Sequence, residues 1–220
     1  MDWWAVLQIV IGASITIVFV VWLENTRKPK LVLRIEDPPV DVTYQGRPAK
    51  NARFLRLIIE NKEPPRIVKW LSRNTAVRCY GFITFYHLDG QDVFGRSMPI
   101  KWANLPGVQL LPDGKLEMYT FDSVKHIDVH AGYTEILDVA ARYDNDNECY
   151  GWCYESYFSN PPWRNPDWRL NTGRYLTKVE VICAGERCVG LYRLINDVPV
   201  NAFRLEPAQS TDYERIFKKP

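Results

Sequence analysis

Four cysteines are spaced as two pairs, Cys149-x3-Cys153 and Cys183-x4-Cys188, that could offer thiolates to one tetrahedral zinc. The second pair brackets a hairpin loop, which would turn its side chains toward each other. The first lacks the spacing of a zinc knuckle, and tyrosine and tryptophan crowd it. Cysteines in a reducing compartment also serve as small apolar residues, and that is the reading taken. No metal and no cofactor is expected.

Asp144, Asp146, Glu148 and Glu155 stand at positions one, three, five and twelve of a calcium-type loop. Position six is Cys149, where such a loop needs Gly for its sharp turn, so a solvated loop is expected instead. His126 and His130 share a strand face but lack a third ligand, and His87 stands alone beside a turn. No GxSxG, GxGxxG or GxxxxGK[ST] motif occurs.

The densest stretch of unusual chemistry runs from Tyr150 to Arg169. It holds Tyr150, Trp152, Tyr154, Tyr157, Phe158, Trp163 and Trp168, with Arg164 and Arg169 interleaved. Trp, Tyr and Arg dominate the energetic centres of protein interfaces. Pro161, Pro162 and Pro166 stiffen the segment as a long loop. Trp163, Arg164, Trp168 and Arg169 are therefore the interface candidates. Trp163 and Trp168 are expected to be at least partly exposed, and Trp152 and Tyr154 buried. The competing reading is a loop folded back as a cap, with Arg stacked on aromatic rings.

These residues must be positioned by a chain that begins with a membrane-like helix. Trp3–Leu23 carries no charge. At ~1.5 Å per residue it makes about 31 Å of helix, enough to cross a bilayer core. Trp3, Trp4 and Trp22 sit at its ends, where amphipathic rings prefer the headgroup level. A cleaved signal peptide would begin with positive charge and end in small residues, and neither occurs here. Arg27, Lys28 and Lys30 follow the helix closely, and positive flanks stay cytoplasmic. The N-terminus is thus expected outside and the remaining chain inside. An odd cysteine count and the absence of an Asn-x-Ser/Thr sequon agree with that side.

Beyond the first 23 residues the chain carries all 28 Lys and Arg and 25 of the 26 acids. That near balance gives no nucleic-acid surface. Short alternating segments dominate. Leu31–Ile35, 52–59, 77–86 and 135–143 read as strands. Asp89-Gly90 supplies a hairpin turn toward Val93-Phe94. Met98–Ala103 reads as an edge segment, Pro112-Asp113-Gly114 as a turn, and 116–121 and 124–129 as short strands. Tyr175–Cys183 and Cys188–Ile195 form a hairpin around a four-residue loop, and 200–205 adds a last strand.

The order Cys79, Trp102, Cys183 resembles an immunoglobulin domain, with a tryptophan between two core cysteines. The cysteines lie 104 residues apart, so insertions are implied. The expected fold is an all-β, immunoglobulin-like antiparallel sandwich over 31–206, after an anchor (1–25) and a basic juxtamembrane segment (26–30). Residues 207–220 read as a polar tail with a turn of helix around Tyr213–Phe217. The expected function is a single-pass, membrane-anchored protein whose cytoplasmic sandwich is an interaction or ligand-sensing module. Its partners would be the bilayer and a protein or a second copy of the chain. The alternative is a membrane-tethered hydrolase or metal-dependent enzyme.

Overall fold

Trp3–Arg27 form one continuous helix, α1. The computed structural model describes residues 3–43, 51–104, 109–110, 116–117, 126–157, 159–161, 163–184 and 186–217. The strands are β1 (Leu31–Ile35), β2 (Val40–Thr43), β3 (Asn51–Asn61), β4 (Ala76–His87), β5 (Met98–Pro99), β6 (Lys101–Trp102), β7 (Gln109–Leu110), β8 (Leu116–Glu117), β9 (Ile127–Val129), β10 (Thr134–Tyr143), β11 (Cys149–Gly151), β12 (Arg169–Leu170), β13 (Arg174–Cys183), β14 (Glu186–Ile195) and β15 (Arg204–Pro207). A second helix, α2 (Ser210–Phe217), follows. The turn read at Pro112-Asp113-Gly114 and the strand residues read at 118–121 and 124–125 lie outside the described residues.

Thirteen of these strands build two antiparallel sheets, in which β1-β3-β10-β11-β12 carries β2 and β6, and β15-β14-β13-β4-β5 carries β9, while β7 and β8 form a separate two-stranded pair. Alternation along the strands turns one face of each sheet inward. Leu55, Leu57, Ile59, Leu137 and Val139 of the first sheet meet Ile83, Phe85, Val179, Val181 and Leu194 of the second in one buried cluster. Met98–Trp102 is the crossing point. Met98 pairs with Ile83 in one sheet, and Trp102 pairs with Leu137 in the other.

Cys79 and Cys183 do not face each other across the core, as the immunoglobulin pattern requires. They lie on neighbouring strands of one sheet, β4 and β13, and both thiols are free. The hairpin loop is also tighter than four residues, because Cys183 already pairs with Glu186. Of residues 200–205, Val200–Ala202 is a 3-10 turn rather than strand.

A second, smaller cluster lies on the far face of the first sheet, whose strand β3 carries Arg53 and Arg56 among apolar residues. There Phe54, Ala141, Tyr143, Tyr150 and Trp152 pack together. A register shift between Asp138 and Ala140 of β10 moves Ala141 and Tyr143 onto this face. α2 is docked rather than loose. Arg193 Nε and Nη2 hold the two carboxylate oxygens of Asp212 at 2.6 and 2.8 Å. Asp212 also accepts from Gln209 N at 2.8 Å, closing the helix's first turn.

Candidate functional site

The aromatic segment folds back as a cap. Trp168 is 2% exposed, which corrects the expectation of a surface ring. Its Nε1 donates to Glu155 at 3.2 Å, and the Arg96 guanidinium stacks over it at 4.5 Å. Trp152 and Tyr154 are buried, and Trp163 is half-buried with φ at +69°. Arg164 stacks on Tyr143 at 4.2 Å and binds Asp146 through Nε at 2.6 Å. Arg169 is exposed at the edge, 4.0 Å from Glu148. The four interface candidates are thus split between core (Trp168), cap (Trp163, Arg164) and rim (Arg169). Phe158 and Pro162 lie outside the described residues.

The zinc candidates are not brought together. Cys183 lies opposite Glu186 and Cys188 opposite Val181, while Cys149 pairs with Leu170 in the other sheet. Burial pushes all five thiols up, Cys79 to about 12 and Cys153 to about 11. A nucleophilic or metal-binding cysteine needs the opposite shift. Among the described residues no group of three or more His, Cys, Asp or Glu is placed to hold a metal. Three of the four carboxylates of the calcium-type loop already serve protein donors. Asp144 accepts from Asn51 N, Asp146 from Arg164, and Glu155 from Trp168. His130 Nδ1 lies 3.0 Å from the Thr75 hydroxyl, and His126 packs edge-on against Tyr80.

The concave feature of the body is a groove between two strand edges, which no motif announced. β1 pairs only with β3 among the described strands, so its outer edge has no strand partner. β15 covers β14 only from Tyr192 onward, which leaves Glu186–Leu191 uncovered on that side. These two edges face each other. Residues 31–35 form one wall, 188–192 the other, and Pro207, Ala208 and Tyr213 close the end of a cavity of about 560 Å³. Cys188 Sγ reaches across to Leu31 O at 3.5 Å.

At Ile35 and Pro207 the groove continues into a cleft of about 390 Å³ lined by Glu36, Asp37, Arg53, Arg56 and Arg204. Arg53 is held by Asp41 and by Asn201 O. Glu36 Oε2 is buried and has no hydrogen-bond partner. A buried carboxylate oxygen without a donor is costly unless something supplies an N–H or O–H. The groove therefore offers unpaired backbone edges and apolar side chains along its length, and an acceptor at one end. Its walls lie 157 residues apart in the chain, so sequence spacing carried no trace of it.

No protein-family model, curated protein or solved structure matches the chain.

Proposed function

We propose that this chain is a single-pass membrane protein whose cytoplasmic β-sandwich docks an extended segment of a partner polypeptide in the groove between β1 and β14. α1 supports the anchor. Its most apolar 18-residue stretch, within residues 6–27, has a mean hydropathy of 2.5, and no residue of that stretch is buried inside the fold. Uncovered apolar area on that scale needs an apolar surrounding. The positive flank of Arg27, Lys28 and Lys30 supports the cytoplasmic side. Two antiparallel sheets around one core support a sandwich architecture, without the cross-core cysteine pair of immunoglobulin domains.

The docking reading rests on one observation: two strand edges that lack strand partners face each other across an apolar groove. An added strand gains main-chain hydrogen bonds at a free edge, and alternate side chains find pockets beside it. Five residues of β1 offer ~17 Å of such edge. Glu36 would receive a donor from the bound segment.

Photo-crosslinking tests this in the full-length protein in native membranes. A photoreactive residue at Val189, on the groove wall, is expected to give a discrete adduct mapping to one short extended segment. The same probe at Arg174, at the opposite end of β13, should not give it. Diffuse or absent adducts at Val189 in a folded, membrane-bound protein would overturn the groove as the docking site.

A further inference from the structure

The segment between β3 and β4, Pro64–Arg73, joins the two sheets at the end nearest α1. It is not a free loop. Asn74 N donates to Arg27 O at 2.7 Å, and Arg73 Nη1 donates to Lys28 O at 2.9 Å. Asn61 is fully buried behind this junction. It accepts from Lys30 N at 3.1 Å and donates to Asn74 O and Val129 O. The exit of the helix is thus tied to the body through backbone groups, and the segment is held beside the helix's last turn.

Within it, Arg66–Val68 forms a 3-10 turn, continued by Leu71 N bonding Val68 O at 2.8 Å. Leu71 is buried and pins the far side. Ile67 is 91% exposed and Trp70 is 70% exposed. Side chains three apart lie on one side of such a turn. Arg66 and Lys69, also three apart, are exposed on the adjoining side. Tyr133, 69% exposed, stands at the same end, with its carbonyl accepting from Asn61 N. An isoleucine, a tryptophan and a tyrosine bare in water, rimmed by cations, have no stability rationale within the fold.

We propose that this turn is a second membrane contact, with Ile67 and Trp70 seated in the interfacial layer of an anionic leaflet and Arg66 and Lys69 on its headgroups. The proposal rests on α1 being a membrane span. Trp22, five residues before Arg27, marks the headgroup level on the helix, so a turn latched to Arg27 and Lys28 lies within reach of that level. Trp and Tyr favour that layer, and polybasic neighbours are drawn to anionic lipid. Arg27, Lys28 and Lys30 extend the positive face, against only Glu24 and Glu63 nearby in sequence. The contact would fix the tilt of the sandwich and so the direction in which its groove opens.

The test uses the full chain reconstituted in vesicles of phosphatidylcholine with phosphatidylglycerol. A spin label is placed at Ile67→Cys, and in a separate sample at Arg174→Cys on the far end; the unsubstituted chain reports labelling of native thiols. Power saturation should show the label at 67 more accessible to oxygen than to a water-soluble nickel chelate, with the reverse at 174. Arg66→Glu with Lys69→Glu should lose that preference. Equal nickel access at both positions, in protein that resists alkaline carbonate extraction, would overturn the second contact and leave the anchor standing. Shielding of position 67 from both reagents would assign the surface to a protein contact instead. Release of the chain by carbonate would overturn the anchor and this contact together.

Discussion

Lys101 Nζ lies 3.0 Å from Asp138 Oδ2, with the two side chains only 4% and 2% exposed. Arg56 Nε binds the other carboxylate oxygen at 2.7 Å. This cluster sits at the register shift of β10, under Tyr154 and Tyr157, whose rings lie 5.9 and 5.8 Å from the ammonium. A bare charge beneath a cap of aromatic rings would be expensive, so the cap and the pair depend on each other.

Removing one partner should show that dependence. Lys101→Met is expected to cost ~3–5 kcal/mol, because Asp138 keeps its charge with Arg56 alone. For a chain of this size that lowers the melting temperature by roughly 6–20 °C. Lys101→Met with Asp138→Leu should recover part of the loss, since the apolar pair carries no desolvation cost while Arg56, 23% exposed, loses its carboxylate partner and must turn to water. Urea unfolding of the three forms in mild detergent measures it. A single variant as stable as the parent would mean that water reaches the pair.

The aromatic cap gives a second contrast. Trp168→Ala removes a ring buried among core residues and its bond to Glu155, and should cost ~3–5 kcal/mol. Trp163→Ala, at a half-buried ring, should cost roughly 1–2 kcal/mol, within the ordinary range for point changes. Thermal melts of both variants check the order. The reverse order would place the support of the cap on Trp163.

That contrast also marks how far the sequence could be read. Alternation located β4, β13 and β14, because one face of each strand is more buried than the other and period two survives in the residue types. β10 is buried on both faces from Leu137 to Tyr143, so its alternation is a weaker signal. Proline density made Trp168 look exposed, since it signals a loop but not the direction in which the loop folds. Glu155 and Arg96, which hold Trp168, are remote from it in sequence and left no spacing signal. Ile67 and Trp70 follow Pro64-Pro65 and belong to no periodic pattern or motif, so the sequence holds no signal of their own. Their exposure follows from Leu71 turning inward, a tertiary fact. The groove needed both sheets to exist before its walls could meet.

Acid should release α2 before it unfolds the core. The hydrogen bonds from Arg193 hold the Asp212 carboxyl below the usual carboxylate range. A folded-state value below the unfolded one (~3.9) means that this stabilisation is present above about pH 4 and is lost as pH falls through the lowered value. Hydrogen exchange of residues 210–217 should therefore accelerate below about pH 4, ahead of β13 and β14. Asp212→Asn should bring that acceleration to neutral pH. Asp41, lowered by Arg53, titrates in the same range, so Asp41→Asn is the control and should leave α2 docked. Exchange in α2 that ignores both pH and Asp212→Asn would show that Tyr213 and its apolar neighbours hold the helix without the ion pair.

Orientation can be tested without disturbing the fold, because of how the junction is built. Arg27, Lys28 and Lys30 engage the body through backbone O, O and N, while all three residues are exposed. Replacing their side chains with glutamine leaves those bonds intact and removes three charges from the flank proposed to hold the chain in the cytoplasm. A compartment-sensitive reporter fused after Pro220 should read cytoplasmic in the parent. It should read partly extracytoplasmic in the triple variant, and more so when lysines are added before Trp3. Tm values within about 2 °C of the parent would show that the charges, not the junction, were changed, as expected for exposed substitutions. A parent reporter already outside would reverse the assigned orientation, and with it the leaflet that Arg66 and Lys69 meet.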